Sequence, residues 1–338
     1  MEQRVLGKSG VSASVLGLGT WPMGGEWWGG ADDAESIRTI HRAIELGITL
    51  IDTAEGYGRG HSEEVVGKAL VGRRAEVVIS DKVAPNHLEP AQIRAAFAAS
   101  CQRLRTDYID VYYIHWPNID VPIGPAMTEL EHMRAEGKIR AIGVSNFTPA
   151  EMDEARRYGT IDVLQPPYNM FWRFIERSEV PYCLANDIGI MTYSSLAQGL
   201  LTGTLSRDTK FAEGDNRPTT VLFQPEHYGR CLDAVDKLRP IAAKYGRTLA
   251  QLAINWVVGR PGVSCSLLGA RTVSEVEENA GGVGWDLGNA DLALADGCTR
   301  EVFDGLADYP DMFRNWTRWD LQRRRYEQAG RVPREGTA

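Results

Sequence analysis

Eight short apolar runs recur along the chain, and they limit the folds that it can adopt. They cover residues 15–19, 48–51, 77–80, 109–114, 139–144, 161–164, 189–193 and 264–268. Such runs, rich in β-branched residues, are typical of parallel strands covered on both faces. Helical segments separate them at intervals of about 30 residues, with one longer gap before the last run. The pattern predicts an α/β fold, a closed (β/α)8 TIM barrel rather than an open doubly wound sheet.

The ends of the predicted helices carry residues that favour helix boundaries. Residues 148–151 (TPAE), 248–251 (TLAQ) and 272–275 (TVSE) each place a threonine at the spacing of a capping box. Gly47, Gly137, Gly159 and Gly189 each follow a helical segment. A glycine there is expected to take the left-handed conformation that ends a helix.

The segments outside the barrel pattern predict additional structural elements around the barrel. Two short runs within residues 4–13 predict an N-terminal β-hairpin that plugs the barrel bottom. The gap at about 199–247 is rich in charge, glycine and proline, which favours a mobile excursion over a domain boundary. We therefore expect one domain over residues 1–338, with a barrel core at about 14–282 and a C-terminal helical tail at about 287–338.

Composition excludes several classes of partner. The formal net charge of −8 argues against nucleic acid, because proteins that bind phosphate backbones usually present a basic face. No apolar stretch approaches the roughly 18 residues of a membrane span, and the N-terminus has no signal-peptide pattern. The five cysteines are scattered, which favours free thiols in a reducing compartment. These features predict a cytoplasmic protein that acts on a small molecule.

Polar side chains follow six successive predicted strands. Barrel active sites are built at the carboxyl ends of the strands. Each of these polar residues, taken by itself, could have a purely structural role. The convergence of all six on one rim indicates a site. In chain order, the strands end at Asp52, Lys82, His115, Ser145 with Asn146, Gln165 and Tyr193.

These residue types can protonate a carbonyl group. A buried lysine beside Asp52 stays cationic, and the field of Lys82 is expected to lower the pKa of a nearby phenol such as Tyr57. His115 can then orient the carbonyl oxygen by a hydrogen bond. No protein side chain carries hydride, so the chemistry implies a nicotinamide cofactor.

The chain resembles the aldo-keto reductase superfamily over about residues 4–295. The matching motifs are GLGTW, LIDTAEGYG, DYIDVYYIHWP, GKIRAIGVSNF, LQPPYNMF, YSSLAQGLLTG and GARTVSEVEENAG. The nearest branch is similar to bacterial inositol-operon and general-stress reductases, and to potassium-channel β subunits. The resemblance implies an NAD(P)H-dependent oxidoreductase; the alternative is a slow or non-catalytic regulatory subunit that senses the cofactor.

The resemblance also implies the residues of the site. Asp52, Tyr57, Lys82 and His115 match the catalytic tetrad, with Tyr57 as general acid. The residues expected to bind cofactor are, for nicotinamide, Ser145, Asn146, Gln165 and Tyr193; for pyrophosphate, Ser194, Ser195, Leu196, Gln198, Gly199 and Leu200; and for adenosine, Gly269, Ala270, Arg271, Glu275, Glu278 and Asn279.

Cofactor preference depends on two of these positions. Arg271 can pair with a 2′-phosphate, which favours NADP(H). Glu275 would repel that phosphate, unless it serves as the third residue of the TVSE capping box. NADP(H) is the expected cofactor, with NAD(H) open.

Aromatic residues indicate the substrate pocket. Trp21 and Trp116 follow strand ends, and Trp172 lies after the sixth strand, so all three are expected at the barrel mouth. Two interpretations suit the tail: a solvated basic face at Arg318 and 323–325, or Trp316 and Trp319 folded over the pocket. A metal-dependent hydrolase is disfavoured, since no cluster of metal ligands is evident in the sequence, and no metal is expected.

Overall fold

The protein is described by a computed structural model covering residues 1–306 and 309–330, apart from the side chain of Trp316. The strands are β1 Gln3–Val5, β2 Ser12–Ser14, β3 Leu16–Gly19, β4 Leu50–Asp52, β5 Val78–Val83, β6 Ile109–Ile114, β7 Ile139–Ser145, β8 Val163–Gln165, β9 Gly189–Thr192 and β10 Val263–Gly269. The helices are α1 Asp33–Glu45, α2 His61–Ala69, α3 Pro90–Leu104, α4 Ile123–Ala135, α5 Pro149–Ala155, α6 Glu179–Asn186, α7 Pro225–Lys244, α8 Leu249–Val258, α9 Val273–Ala280, α10 Asn289–Asp304 and α11 Asp320–Gln328.

Strands β3 to β10 close into one parallel barrel, in the order β10-β3-β4-β5-β6-β7-β8-β9. Successive side chains alternate between two cores, as a strand requires. Leu50 and Val111 pack inside the barrel, whereas their neighbours Ile51 and Tyr112 pack against the surrounding helices. The predicted (β/α)8 barrel is confirmed.

An antiparallel hairpin of β1 and β2 closes one end of the barrel. Its Leu6 and Val11 are buried in the same cluster as the inward-facing strand residues. Gly7 at its turn has a φ of +55°, and a Cβ there would lie 2.1 Å from the carbonyl oxygen of Asp162. Because Gly7 also approaches Gly189, the first residue of β9, the predicted plug sits at the amino ends of the strands.

The predicted helix boundaries are partly confirmed. Capping boxes begin α5 at Thr148 and α8 at Thr248. At α9, Thr272 accepts the N–H of Glu275, but the Glu275 carboxylate accepts the N–H of Arg271 and leaves the box incomplete. The prediction of a capping box at α9 is therefore right for the Thr272 side chain and wrong for the Glu275 side chain.

Two of the four predicted helix-ending glycines are also confirmed: φ is +80° at Gly47 and +74° at Gly137. The prediction is wrong at Gly159 and Gly189, which do not take positive φ. Helix α6 ends instead at Asp187, with a φ of 53°. Gly189 is required for close packing, because a Cβ there would lie 2.6 Å from the backbone nitrogen of Gly7.

The gap at 199–247 is not an irregular excursion throughout. Its second half forms α7, 20 residues long, whose Val235 and Leu238 are buried. The tail contains α10 and α11, which confirms its helical character. Among the described residues, no helix is long and apolar enough to cross a membrane.

Candidate active site

A buried ion pair lies at the carboxyl end of β4 and β5. Asp52 is 3 % exposed and Lys82 0 %, and Lys82 Nζ donates to Asp52 Oδ1 at 2.6 Å. The ammonium also donates to the carbonyl oxygen of Thr53 at 2.7 Å. The second oxygen of Asp52 accepts from Ser80 Oγ and Gln165 Nε2, at 2.7 and 2.9 Å. Because both charges are hydrogen-bonded, the pair is tolerated in the barrel interior.

Tyr57 reaches this pair from the loop after β4. Its hydroxyl lies 3.2 Å from Lys82 Nζ. The next residue, Gly58, has a φ of +59°, and a Cβ there would lie 2.2 Å from the carbonyl oxygen of Gly24. The glycine therefore allows the tight loop that turns the phenol towards the barrel.

His115 follows β6 directly and completes the group. Its ring centroid lies 5.7 Å from that of Tyr57, at an interplanar angle of 76°. Trp21 stacks on Tyr57 at 6.1 Å. The structure thus brings together the four side chains that sequence motifs predicted as a tetrad.

Burial and nearby charges decide the protonation states of these groups. Burial pulls the pKa of Lys82 down, but Asp52 and Tyr57 outweigh burial and hold it above its ordinary value. Burial, assisted by the charge of Lys82, holds the pKa of His115 well below its ordinary value. At neutral pH, Lys82 is therefore a cation and His115 a neutral imidazole.

The pKa of Tyr57 is raised, mainly by burial, although the charge of Lys82 opposes the rise. The predicted net lowering of this pKa is wrong, because burial of the phenol exceeds the effect of the ammonium. Tyr57 therefore keeps its proton at neutral pH, as a general acid must, and Lys82 limits how far the pKa rises.

The four residues predicted to bind nicotinamide lie beside the tetrad. Ser145 Oγ donates to the carbonyl oxygen of Gln165 at 2.8 Å. Asn146 has a φ of +65°, and its Nδ2 donates to the carbonyl oxygen of His115 at 3.2 Å. The Tyr193 hydroxyl donates to Asn146 Oδ1 at 2.8 Å. Asn146 therefore joins the ends of β6, β7 and β9.

The segment predicted to bind pyrophosphate follows β9. Ser194, Gln198 and Gly199 have φ of 54°, 54° and 98°. Such turns can direct backbone N–H groups towards an anion. Gln198 Nε2 is buried and has no hydrogen-bond partner among the described residues, so a donor remains for a phosphate oxygen. Ser195, Leu196 and Leu200 belong to the same segment.

Two of the six residues predicted to bind adenosine, Arg271 and Glu275, line a cavity of about 360 Å³ beside the ends of β10, α9 and α1. Arg271 Nη2 donates to the carbonyl oxygen of Gly30 at 3.1 Å, and Glu275 Oε2 accepts the N–H of Arg271 at 2.6 Å. Asn279 Nδ2 donates to the carbonyl oxygen of Gly269 at 3.4 Å. Ala270 is buried after β10, and Glu278 lies in the last turn of α9.

The three predicted pocket tryptophans lie in different surroundings. Trp21 contacts Tyr57, as described above. Trp116 is 6 % exposed, and the ring of Trp319 from the tail meets its ring at 6.2 Å. Trp172 is buried beside Phe174, with centroids 4.8 Å apart. Trp21 is thus the predicted pocket tryptophan that contacts the tetrad directly.

The tail adds residues that sequence reasoning missed. Phe313 stacks on Tyr193 with centroids 6.0 Å apart and meets Trp21 edge-on at 5.8 Å. Arg325 is 5 % exposed, so the prediction of a solvated basic face is wrong at this residue. No motif or strand-end signal marks either position. The prediction for Trp316 concerns a side chain that lies outside the described part of the structure.

Comparisons with known proteins agree with this geometry. The model of the aldo/keto reductase family matches residues 15–299. The aldo-keto reductase YhdN of Bacillus subtilis is 41% identical over 302 residues, covering 86% of this chain and 91% of the relative. The NADH-specific methylglyoxal reductase of Escherichia coli is 36% identical over 330 residues, covering 90% and 99%.

A solved structure points the same way. The aldo-keto reductase of Klebsiella pneumoniae in complex with NADPH superposes with a TM-score of 0.71 at 31% identity, covering 90% of this chain and 96% of that one. The family match spans most of the chain and includes the strand ends that carry the four side chains. The chain belongs to the aldo/keto reductase family and is an NAD(P)H-dependent oxidoreductase.

Proposed function

We propose that the protein transfers hydride reversibly between NADP(H) and an aldehyde, a ketone or a keto-sugar, with Tyr57 as the general acid. One observation carries this proposal: the Tyr57 hydroxyl lies 3.2 Å from the buried Lys82 ammonium, beside a neutral His115. Residues 1–338 would form the single domain that supports this site.

Each residue of the tetrad has a separate task. Tyr57 holds a proton at neutral pH and gives it to the carbonyl oxygen as negative charge develops there. The Lys82 cation stabilises the phenolate that remains, and Asp52 keeps Lys82 charged and in place. Neutral His115 has an N–H that can hydrogen-bond the same oxygen. A nicotinamide, when bound, supplies the hydride.

The residues predicted to bind cofactor fit an NADP(H) molecule. Gln198 Nε2, which has no hydrogen-bond partner in the described part of the chain, and the left-handed turn at Gly199 suit a pyrophosphate. Arg271, at the adenosine cavity, suits a 2′-phosphate. Glu275 opposes that phosphate by its charge, although its carboxylate is already engaged by the N–H of Arg271. The E. coli relative is NADH-specific, so NAD(H) stays the alternative.

The aromatic side chains near the tetrad support the proposed substrate class. Trp21 stacks on Tyr57, and Phe313 meets Trp21 edge-on. Apolar rings of this kind suit the faces of sugars and aromatic carbonyls. The E. coli relative is named for methylglyoxal, a small carbonyl compound. Small aldehydes and keto-sugars are therefore the first compounds to test.

The test is NADPH oxidation, followed by absorbance, with a panel of aldehydes, keto-sugars and ketosteroids. Tyr57→Phe should reduce kcat by about 10²–10⁴-fold, the usual contribution of a general acid. NADPH binding, measured by fluorescence, should persist in this variant. Tyr158→Phe, on a tyrosine that is 47% exposed, should leave turnover unchanged. Undiminished turnover in Tyr57→Phe would refute the mechanism.

A further inference from the structure

Arg325 connects the C-terminal helix α11 to the loop that follows β7. Its Nη2 donates to the carbonyl oxygen of Asn146 at 2.7 Å. The same guanidinium donates two hydrogen bonds of 2.6 Å to Glu151, from Nε to Oε1 and from Nη2 to Oε2. Nη1 donates to Gln322 Oε1 at 3.1 Å. One buried cation thus joins the tail to the first turn of α5 and to a residue of the active-site rim.

Asn146 is the residue whose backbone this contact orients. Its φ of +65° lies in the left-handed region, which asparagine adopts more readily than most residues but less readily than glycine, so contacts with the surroundings help to hold the loop. Its carbonyl oxygen faces Arg325, while its side chain contacts His115 and Tyr193. The orientation of this one peptide therefore bears on the ends of three strands at once.

Glu151 makes the arrangement specific for arginine. Its carboxylate also accepts the backbone N–H of Thr148 at 2.7 Å, in the capping box of α5. A planar guanidinium can bind that carboxylate with two hydrogen bonds and still donate to a carbonyl oxygen. A lysine cannot reproduce this fork, because its ammonium is a point charge.

We propose that Arg325 is a positioning residue for the nicotinamide end of the cofactor: it holds Asn146 in the orientation that binds the carboxamide. This inference rests on the proposed function, in which Asn146 contacts the nicotinamide. A tail residue, 179 positions away in sequence from Asn146, thereby sets the affinity for one half of the cofactor.

The test separates the two halves of the cofactor. Dissociation constants are measured by calorimetry for NADP⁺ and for 2′,5′-ADP, which lacks the nicotinamide, and likewise for NAD⁺ and ADP-ribose. In Arg325→Met, the advantage of NADP⁺ over 2′,5′-ADP should fall about tenfold, as expected for loss of one charge-assisted hydrogen bond. Arg325→Lys and Glu151→Gln should each reduce it in part, and these milder variants decide the question if Arg325→Met does not fold.

Two further variants make each outcome interpretable. Arg324→Met removes a neighbouring arginine that pairs with Asp120 on the surface, and should change neither affinity. Asn146→Ala should lose the same nicotinamide-dependent affinity as Arg325→Met. Equal weakening of both ligands in the Arg325 variants would assign the residue a merely structural role and overturn the inference. If wild type and Asn146→Ala bind the full cofactor equally well, the assignment of Asn146 in the proposed function is at fault instead.

Discussion

Asp311, at the start of the tail segment that covers the site, should make stability depend on pH. Its side chain accepts the backbone N–H groups of Phe313 at 2.8 Å and of Asn315 at 3.2 Å. The residue is 5 % exposed, and burial raises its pKa from 3.8 to about 6. Each unit of difference between the pKa in the folded and unfolded states corresponds to about 1.4 kcal/mol. Ionisation of Asp311 therefore lowers the free energy of unfolding by about 3 kcal/mol.

The sign follows from the raised pKa. The stabilising contribution is complete only well below pH 3.8, where the carboxyl is protonated in both states, and is lost as pH rises through about 6. The free energy of unfolding of wild type should therefore fall by about 2.5 kcal/mol relative to Asp311→Asn between pH 4 and pH 7. Urea unfolding of both proteins at several pH values measures this difference.

Asp320→Asn provides a control of opposite sign. Asp320 is an exposed residue of α11, and Arg323 and Arg324 lower its pKa. Wild type should therefore gain stability over that variant as pH rises through about 4. A stability difference between wild type and Asp311→Asn that does not vary with pH would refute the reasoning. Carbon-13 NMR titration of the carboxyl gives the same pKa without assuming two-state unfolding.

Three other perturbations test the site and its frame. In Gly58→Ala, the new Cβ would lie 2.2 Å from the carbonyl oxygen of Gly24, at a residue with positive φ. The free energy of unfolding measured with urea should therefore fall by about 1–3 kcal/mol or more. A variant as stable as wild type would contradict this contact. Trp319→Ala removes the ring that packs on Trp116. The KM for bulky carbonyls should rise several-fold, while the Kd for NADPH stays constant. An equal change in KM and Kd would argue against a role of Trp319 in substrate binding. Glu275→Gln should increase the preference for NADPH over NADH about fivefold in kcat/KM, since one nearby negative charge is worth about 1 kcal/mol in water; no change would leave Glu275 with its role at the Arg271 N–H.

The barrel and the tetrad could be predicted because their signals are local. A run such as 48–51 predicts a buried strand, and the carboxylate of Asp52 at its end departs from the apolar pattern. In a parallel barrel all carboxyl ends meet on one rim, so strand order alone places Lys82 and His115 near Asp52. Tyr57 follows from the family motif LIDTAEGYG, and in the structure the flanking Gly58 forms a tight turn.

The remaining features depend on contacts between distant parts of the chain. The basic run at 323–325 has no periodic apolar pattern, and only packing of α11 shows that Arg325 is buried while Arg324 is paired at the surface. The raised pKa of Tyr57 likewise could not be derived from residue types. Its sign depends on whether burial or the Lys82 charge is the larger effect, and that comparison requires the depth of the phenol in the site.

The tail therefore has a different role from that of the barrel. Phe313 reaches the residues that follow β3 and β9, Trp319 reaches Trp116 after β6, and Arg325 reaches Asn146 after β7. The barrel closes through its own strand pairing, in which none of the described tail residues takes part. Because the described tail residues contact four strand ends without contributing to the sheet, we expect substitutions in them to alter the rim of the site while the tetrad stays assembled. We therefore expect Trp319→Ala to change substrate range while the proposed hydride transfer at the tetrad is preserved.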